Sequence, residues 1–254
     1  MNSPQKIALI TGGSRGLGRN TAISFARTGG DVIITYRSNQ READSAVSEI
    51  VALGHKAVAL QLDTGNVSTF DTFVAEIKNV LSQTWKTSQL DFLVNNAGIG
   101  FHASFAETSE ESFDQLMNIH FKGVYFLTQK LLPVIKDGGR IVNISSGLTR
   151  FSIPGSSAYA CMKGAIEVLT RYLAKELGPR HITVNTVAPG AIETDFGGGM
   201  VRDNSQMNHF IASQTALERA GLPDDIGPMI ASLLTENNRW INAQRIEVSG
   251  GMFL

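Results

Sequence analysis

Residues 156 to 164 read SSAYACMKG, which sets a phenol and an ammonium four residues apart at Tyr159 and Lys163. In a helix, positions i and i+4 lie one above the other on the same face. Two readings stand at this level: a surface pair with the lysine stem packed on the ring, or a proton donor tuned by its neighbour. A free tyrosine titrates near 10, about three pH units above neutrality, and bringing it to neutrality needs about 4 kcal/mol. One ammonium at about 4 Å, in an effective dielectric near 20, supplies roughly that much before desolvation is subtracted. The nine residues alone do not choose between the readings.

A second stretch with chemical potential is TGGSRGLG, Thr11 to Gly18. Gly12, Gly16 and Gly18 let a backbone turn sharply and approach an anion, and a helix opening there offers free N–H groups and a positive dipole end. If the loop holds a dinucleotide, the end of the second strand should carry a carboxylate for the adenosine ribose of NAD. That strand ends Thr35-Tyr36-Arg37-Ser38, with no acid. Arg37 with Ser38 could take a 2′-phosphate by charge-assisted hydrogen bonds, and Arg15 is a second cation for the same group. Solvated surface charges are the other reading of both arginines, but the pattern prefers NADP(H) to NAD(H).

Elements must bring these stretches together. Short apolar runs at 6–10, 31–36, 56–61, 90–94, 140–145, 181–187 and 244–248 predict strands. They alternate with helix-period segments near 17–28, 40–53, 67–82, 110–136, 156–177 and 224–235. Alternation of this kind is the signature of repeated βα units around a parallel sheet. Continuous apolarity in ALI, VII and FLV predicts strands covered on both faces, hence a three-layer α/β/α sandwich. Residues 83 to 89, QTWKTSQ, read as a lengthened loop. Residues 190 to 208, with three consecutive glycines, read as a candidate mobile lid.

A hydrophobic content of 43% and charged content of 18% fit a globular core, and no Pro-, Ser- or charge-rich linker divides the chain. The net charge of −1 speaks against a polyanion-binding surface, so no nucleic-acid partner is expected. The apolar run before Thr11 is too short for a secretion signal or a membrane span, which predicts a cytoplasmic protein with no membrane partner. Cys161 is the single cysteine, which fits a reducing compartment, and it reads as a packing residue.

With TGGSRGLG at one end and Tyr159-x-x-x-Lys163 at the other, the sequence resembles the classical short-chain dehydrogenases/reductases over nearly its entire length. The matching stretches continue in order: Asp63 after the third strand, Asn95-Asn96-Ala97-Gly98 after the fourth, Ser145-Ser146 after the fifth, Pro189-Gly190 after the sixth. The resemblance implies an α/β, single-domain Rossmann fold over 1–254. Its doubly wound parallel sheet would have about seven strands with helices on both faces, and the cofactor would lie beyond the strand C-termini. It implies Tyr159 as general acid, Lys163 as its electrostatic partner and ribose ligand, and Ser146, thirteen residues before the tyrosine, as the substrate-orienting donor. Ser145 is read as a strand-end cap.

By the same resemblance, Gly12, Ser14, Arg15, Gly16, Leu17 and Gly18 would hold the cofactor together with Tyr36, Arg37 and Ser38. Asp63 and Thr64 would meet the adenine, and Asn95, Ala97 and Gly98 would line the adenosine side. Pro189, Gly190, Ile192 and Thr194 would hold the nicotinamide carboxamide and pyrophosphate. No metal is expected. One departure is His120, which stands where the family usually has an asparagine that helps hold a relay water. It could serve through its main-chain carbonyl, or be only a packed residue.

Similarity to 3-oxoacyl-[acyl-carrier-protein] reductases and to broad-range carbonyl reductases implies reversible NADPH-dependent reduction of a ketone to a secondary alcohol, and a homotetramer. Phe101, His102, Phe151, Ile153, Phe196 and Met200 are expected around an apolar substrate. Lys136 and Arg180 are the basic residues left for an acyl carrier protein, although Asp137 follows Lys136 where a further cation would be typical. A regulator that senses NADPH without turning it over is the third possibility, and retention of Ser146, Tyr159 and Lys163 argues against it.

Overall fold

The computed structural model describes residues 5–254. Seven strands, β1 (Ile7–Ile10), β2 (Asp31–Tyr36), β3 (Ala57–Gln61), β4 (Leu90–Asn95), β5 (Ile135–Ile144), β6 (Thr183–Pro189) and β7 (Arg245–Val248), form one sheet in the order β3-β2-β1-β4-β5-β6-β7. Every neighbouring pair is parallel. The helices are α1 (Gly16–Arg27), α2 (Gln40–Ala52), α3 (Phe70–Val80), α4 (Glu110–Met117), α5 (Gly123–Leu131), α6 (Ser157–Glu176), α7 (Met200–Asp203), α8 (Ser205–Ser213) and α9 (Pro223–Leu233).

Both faces of the sheet are covered because successive strand residues point to opposite sides. On β1, Ile7 and Leu9 join the core formed with α3, α5 and α6. Ala8 and Ile10 join the core formed with α1, α2 and α9. The strand order reverses between β1 and β4, which opens a crevice at their C-terminal ends. This is a Rossmann-type three-layer fold. No helix among the described residues is long and apolar enough to cross a membrane.

Three regions depart from the sequence expectation. The helix expected over 110–136 is broken by a wide turn at Asn118–Lys122 and ends at Leu131, and β5 begins at Ile135. Residues 83–89 are less of a loop than expected, since α3 runs on into a second wide turn at Leu81–Trp85. There Trp85 Nε1 donates to Asp31 Oδ2 at 2.7 Å, while the amide of Lys56 donates to Asp31 Oδ1 at 2.9 Å. Trp85 therefore satisfies a buried carboxylate at the start of β2, at the end of the sheet away from the crevice.

The expected lid at 190–208 contains helical turns. Gly197, Gly198 and Gly199 all have positive φ (62°, 75° and 77°), a left-handed run that side chains with a Cβ avoid, and α7 and α8 follow. Cys161 faces outward rather than packing inside.

Candidate active site

The glycine loop is shaped by hydrogen bonds from three strand ends. Gly13 N donates to Thr35 O at 2.8 Å and Gly12 N to Thr35 Oγ1 at 3.1 Å. Thr11 Oγ1 accepts from the amides of Asn96 (2.9 Å) and Ala97 (3.0 Å). Asn96 Nδ2 donates to the carbonyls of Thr11 (2.9 Å) and Gly12 (3.2 Å). The loop therefore leaves β1 along one fixed path. A Cβ on Gly18 would collide with the Gly12 carbonyl and the Asn96 amide, and one on Gly12 would lie 3.0 Å from Ala97 Cα. No side chain caps α1 and no acid sits in its first turn, so its N-terminal N–H groups stay available to an anion.

At the other side of the crevice α6 carries the tyrosine–lysine pair. Its buried residues Ala158, Met162, Ile166, Leu169 and Ala174 seat one helical face against the sheet and the neighbouring helices. That seating places Lys163 beneath the Tyr159 ring, with Nζ 5.6 Å from the ring centroid. Lys163 is only 5% exposed and donates to the Ile144 carbonyl at the end of β5 at 2.7 Å. Burial pushes its ammonium down from 10.5 to about 7.

Tyr159 is half-buried. Burial raises its phenol above the ordinary value, and a hydrogen bond with Ser146 partly opposes the rise. The expected lowering by Lys163 is thus not seen in the bare chain, where burial sets the direction of the shift. Ser146 follows β5 by two residues in extended conformation, and its Oγ accepts from Leu148 N at 3.2 Å. Ser145 is buried and donates to Glu167 Oε1 at 2.7 Å.

His120 sits in the wide turn between α4 and α5, 1% exposed. Its Nε2 is 2.9 Å from the Ile99 carbonyl and 3.2 Å from the Ile99 amide, so it ties that turn to the loop after β4. The ring meets Tyr159 edge to face, with centroids 5.1 Å apart. Burial first, and the Lys163 charge second, lower its pKa to about 3, so the imidazole is neutral at physiological pH.

One cavity of about 580 Å³ joins these parts. Its walls include Gly12, Ser14, Arg15, Gly16, Leu17, Gly18, Tyr36, Arg37, Ser38, Asp63, Thr64, Ala97, Gly98, His120, Ser146, Tyr159, Lys163, Pro189, Gly190, Ile192 and Thr194.

Asn95 is the exception among the expected site residues. It is 4% exposed, and its Nδ2 donates to Asn143 Oδ1 (2.8 Å) and Thr128 Oγ1 (3.0 Å), inside the protein. Its neighbour Asn96 lines the cavity instead. Of the residues expected around a substrate, Phe151, Ile153 and Phe196 line the wall. Phe101 packs on Leu116, Ala158 and Met162, His102 packs on Gly155, and Met200 is exposed. Leu148, Val201 and Met252 line the cavity without having been expected there.

The residues present fit a dinucleotide: a glycine cradle that a Cβ would fill, uncapped N–H groups at α1, and a crevice at the switch point. Arg15 and Arg37 line the cavity and have no acidic partner among the described residues.

Fold and cavity together define a Rossmann-type protein with a dinucleotide-shaped site. A family model described as enoyl-(acyl carrier protein) reductase matches residues 12–253. Among solved structures, the promiscuous reductase LugOII, which catalyses keto-reduction at C1 during lugdunomycin biosynthesis, is 36% identical with a TM-score of 0.94, covering 100% of each chain. The angucycline C-6 ketoreductase LanV with bound NADP is 32% identical with a TM-score of 0.93, covering 98% of this chain and 95% of that one. The 3-oxoacyl-[acyl-carrier-protein] reductase FabG of Staphylococcus aureus is 36% identical over 251 residues, 98% of each chain. The chain belongs to the classical short-chain dehydrogenase/reductase family.

Proposed function

We propose that the protein is an NADPH-dependent carbonyl reductase that converts apolar ketones to secondary alcohols, reversibly. The observation that carries this reading is the cavity end beyond Tyr159. The cavity that holds Ser146 and Tyr159 is also lined by Leu148, Phe151, Ile153, Phe196, Val201 and Met252, with the Phe196 ring centroid 6.0 Å from that of Tyr159. Such a wall favours aliphatic or aryl groups, and two convergent O–H donors suit a carbonyl oxygen.

A reduced nicotinamide held in this cavity would supply the hydride. Ser146 and Tyr159 line the same cavity, and the Ser146 side chain opposes part of the rise in the phenol's pKa, so both hydroxyls can turn onto one substrate oxygen. Ser146 polarises the carbonyl and fixes its position. Tyr159, protonated at neutral pH and held more firmly so by burial, is the general acid that protonates the developing alkoxide. Negative charge moving onto the phenol oxygen favours a cation beside it, and Lys163 is placed beneath the ring to carry one. His120, neutral and engaged with Ile99, serves as a brace for the turn.

Arg15 and Arg37 support NADP(H) over NAD(H), and the NADP bound in LanV agrees with this reading. The acyl-carrier-protein alternative draws on the likeness to FabG, but Arg180 is spent on Asp137 (2.7 Å) and on the carbonyls of Leu132 and Ile135. Exposed Tyr125, Val168 and Tyr172 on α5 and α6 support a homotetramer. The single cysteine suits the cytoplasm.

The test follows NADPH absorbance with simple aryl ketones, a β-keto ester and an oxoacyl thioester. Decay with simple ketones is expected. Decay with the thioester alone would favour the carrier-protein reading, and no decay at all would favour an NADPH sensor. Tyr159→Phe is expected to abolish reduction with NADPH binding retained; activity within tenfold of wild type would refute the acid assignment.

A further inference from the structure

Met252 lines the cavity that holds Tyr159 and Phe151, and a cluster of charges outside the reacting centre fixes the segment that carries it. Met252 is buried and lines the cavity. Phe253 packs on the cavity residue Phe151 with ring centroids 4.7 Å apart. Beyond them Leu254 is 97% exposed. The backbone here is constrained: Phe253 has φ 52°, and its amide donates to Gln214 O at 2.8 Å. The amides of Ala216 and Leu217 donate to the carbonyls of Gly251 and Gly250.

Arg150 closes this arrangement from the turn after Ser146. Its Nη2 donates to Met252 O at 2.6 Å and its Nη1 to Phe253 O at 2.9 Å. The remaining edge of the same guanidinium forms a bidentate pair with Glu247, at 2.7 and 2.6 Å. Glu247 also accepts from Arg245 (2.9 Å) and Ser249 (2.8 Å), and these bonds, Arg150's foremost, hold its carboxyl down to about 2. Arg245 continues to Glu167 (2.8 Å), which accepts from Ser145 and Thr149 at 2.7 Å each. A planar fork bonding two carbonyls and one carboxylate is a geometry that lysine cannot reproduce.

We infer that Arg150 is a specificity-determining positioning residue: by gripping the carbonyls of Met252 and Phe253 it holds the C-terminal segment as one wall of the substrate end, against which an aryl ketone packs. Arg150 reaches the substrate only through Met252, Phe253 and Phe151, and its guanidinium takes no part in proton transfer. The inference rests on the proposed apolar-ketone reading for the class of ligand, while the grip itself rests on the hydrogen bonds above.

The probe is 6-propionyl-2-(dimethylamino)naphthalene, an aryl ketone whose emission shifts to the blue in apolar surroundings, so binding is read without turnover. Arg150→Ala, and a chain ending at Gly251, are each expected to weaken its binding by about tenfold, the scale of losing a few buried methylenes. Arg150→Lys is expected to fall between Arg150→Ala and wild type. NADPH affinity is expected to stay within about twofold, and the rise in KM for aryl ketones to exceed the fall in kcat.

In parallel, amide exchange at Met252 and Phe253 is expected to accelerate in Arg150→Ala. Unchanged exchange would overturn the grip, and faster exchange with unchanged probe affinity would overturn the wall. Should the wild type bind the probe in this pattern yet reduce no ketone, the proposed activity would fall while the inference about Arg150 stood.

Discussion

Lys163 lies at the meeting point of stability and chemistry, and Lys163→Met separates the two. In the folded chain the lysine is buried and its ammonium is lowered from 10.5 to about 7. Between those values the unfolded chain holds the proton and the folded chain does not, so raising the pH stabilises the fold across that window. Below pH 7 the folded chain carries the whole cost, about 5 kcal/mol at roughly 1.36 kcal/mol per pH unit. Methionine keeps most of the side-chain volume and removes the charge, but forfeits the bond to the Ile144 carbonyl, worth about 1 kcal/mol. The variant is therefore expected to be more stable than wild type by about 3 to 4 kcal/mol at pH 6. Its advantage shrinks as the pH rises and turns into a small deficit near pH 10. Urea unfolding of both proteins without cofactor at pH 6, 7.5, 9 and 10, with m-values compared, measures it. A stability difference that stays flat within about 1 kcal/mol from pH 6 to 10 would refute the argument. Ketone reduction by the variant is expected to be lost at every pH.

Three further outcomes follow from the site. Gly18→Ala places a Cβ against the Gly12 carbonyl and the Asn96 amide, so NADPH affinity is expected to fall by at least about tenfold in a chain that still folds, as read by fluorescence titration and circular dichroism. Arg37→Asp sets a carboxylate where a 2′-phosphate would lie, and the ratio of kcat/KM for NADPH over NADH is expected to drop by about two orders of magnitude, the scale of one charge-assisted contact replaced by repulsion. An unchanged ratio would move phosphate recognition to Arg15 or another group. His120→Asn is expected to leave the shape of the pH–rate profile between pH 5 and 9 unaltered, because the imidazole is already neutral there. Loss of an acidic limb would assign it a proton.

What could be read from the sequence was what is local. Short apolar runs located all seven strands, and in ALI, VII and FLV their continuity also announced cover on both faces. Glycines at strand ends marked the cradle. Facing was harder. Asn95 and Asn96 are adjacent, and alternation along β4 sends one inward to Asn143 and Thr128 and the other to the cavity. A shift of one residue in where the strand ends exchanges their roles, and composition does not fix that shift. The helices α7 and α8 were missed because GGGMVRDNSQMN has no apolar period, and three left-handed glycines obscure where the first turn begins. Phe101 and Phe151 could not be distinguished, since the contacts that place one in the core and the other on the wall lie in distant segments.

The tyrosine–lysine pair shows where spacing stops and packing takes over. Four-residue spacing correctly set the two side chains on one face of α6. It also suggested an attractive arithmetic in which the ammonium lowers the phenol, a sum that treats both groups as if water still surrounded them. Burial inverts it: the phenol is raised, the lysine lowered, and the lysine donates to a β5 carbonyl 19 positions earlier in the chain. For a general acid this inversion is useful, because Tyr159 must hold its proton until negative charge develops on the substrate oxygen. The field of Lys163 then acts on the phenolate formed in the reaction, a state in which stabilisation lowers the barrier without weakening the acid beforehand. The pair is therefore set for the charge that the reaction creates.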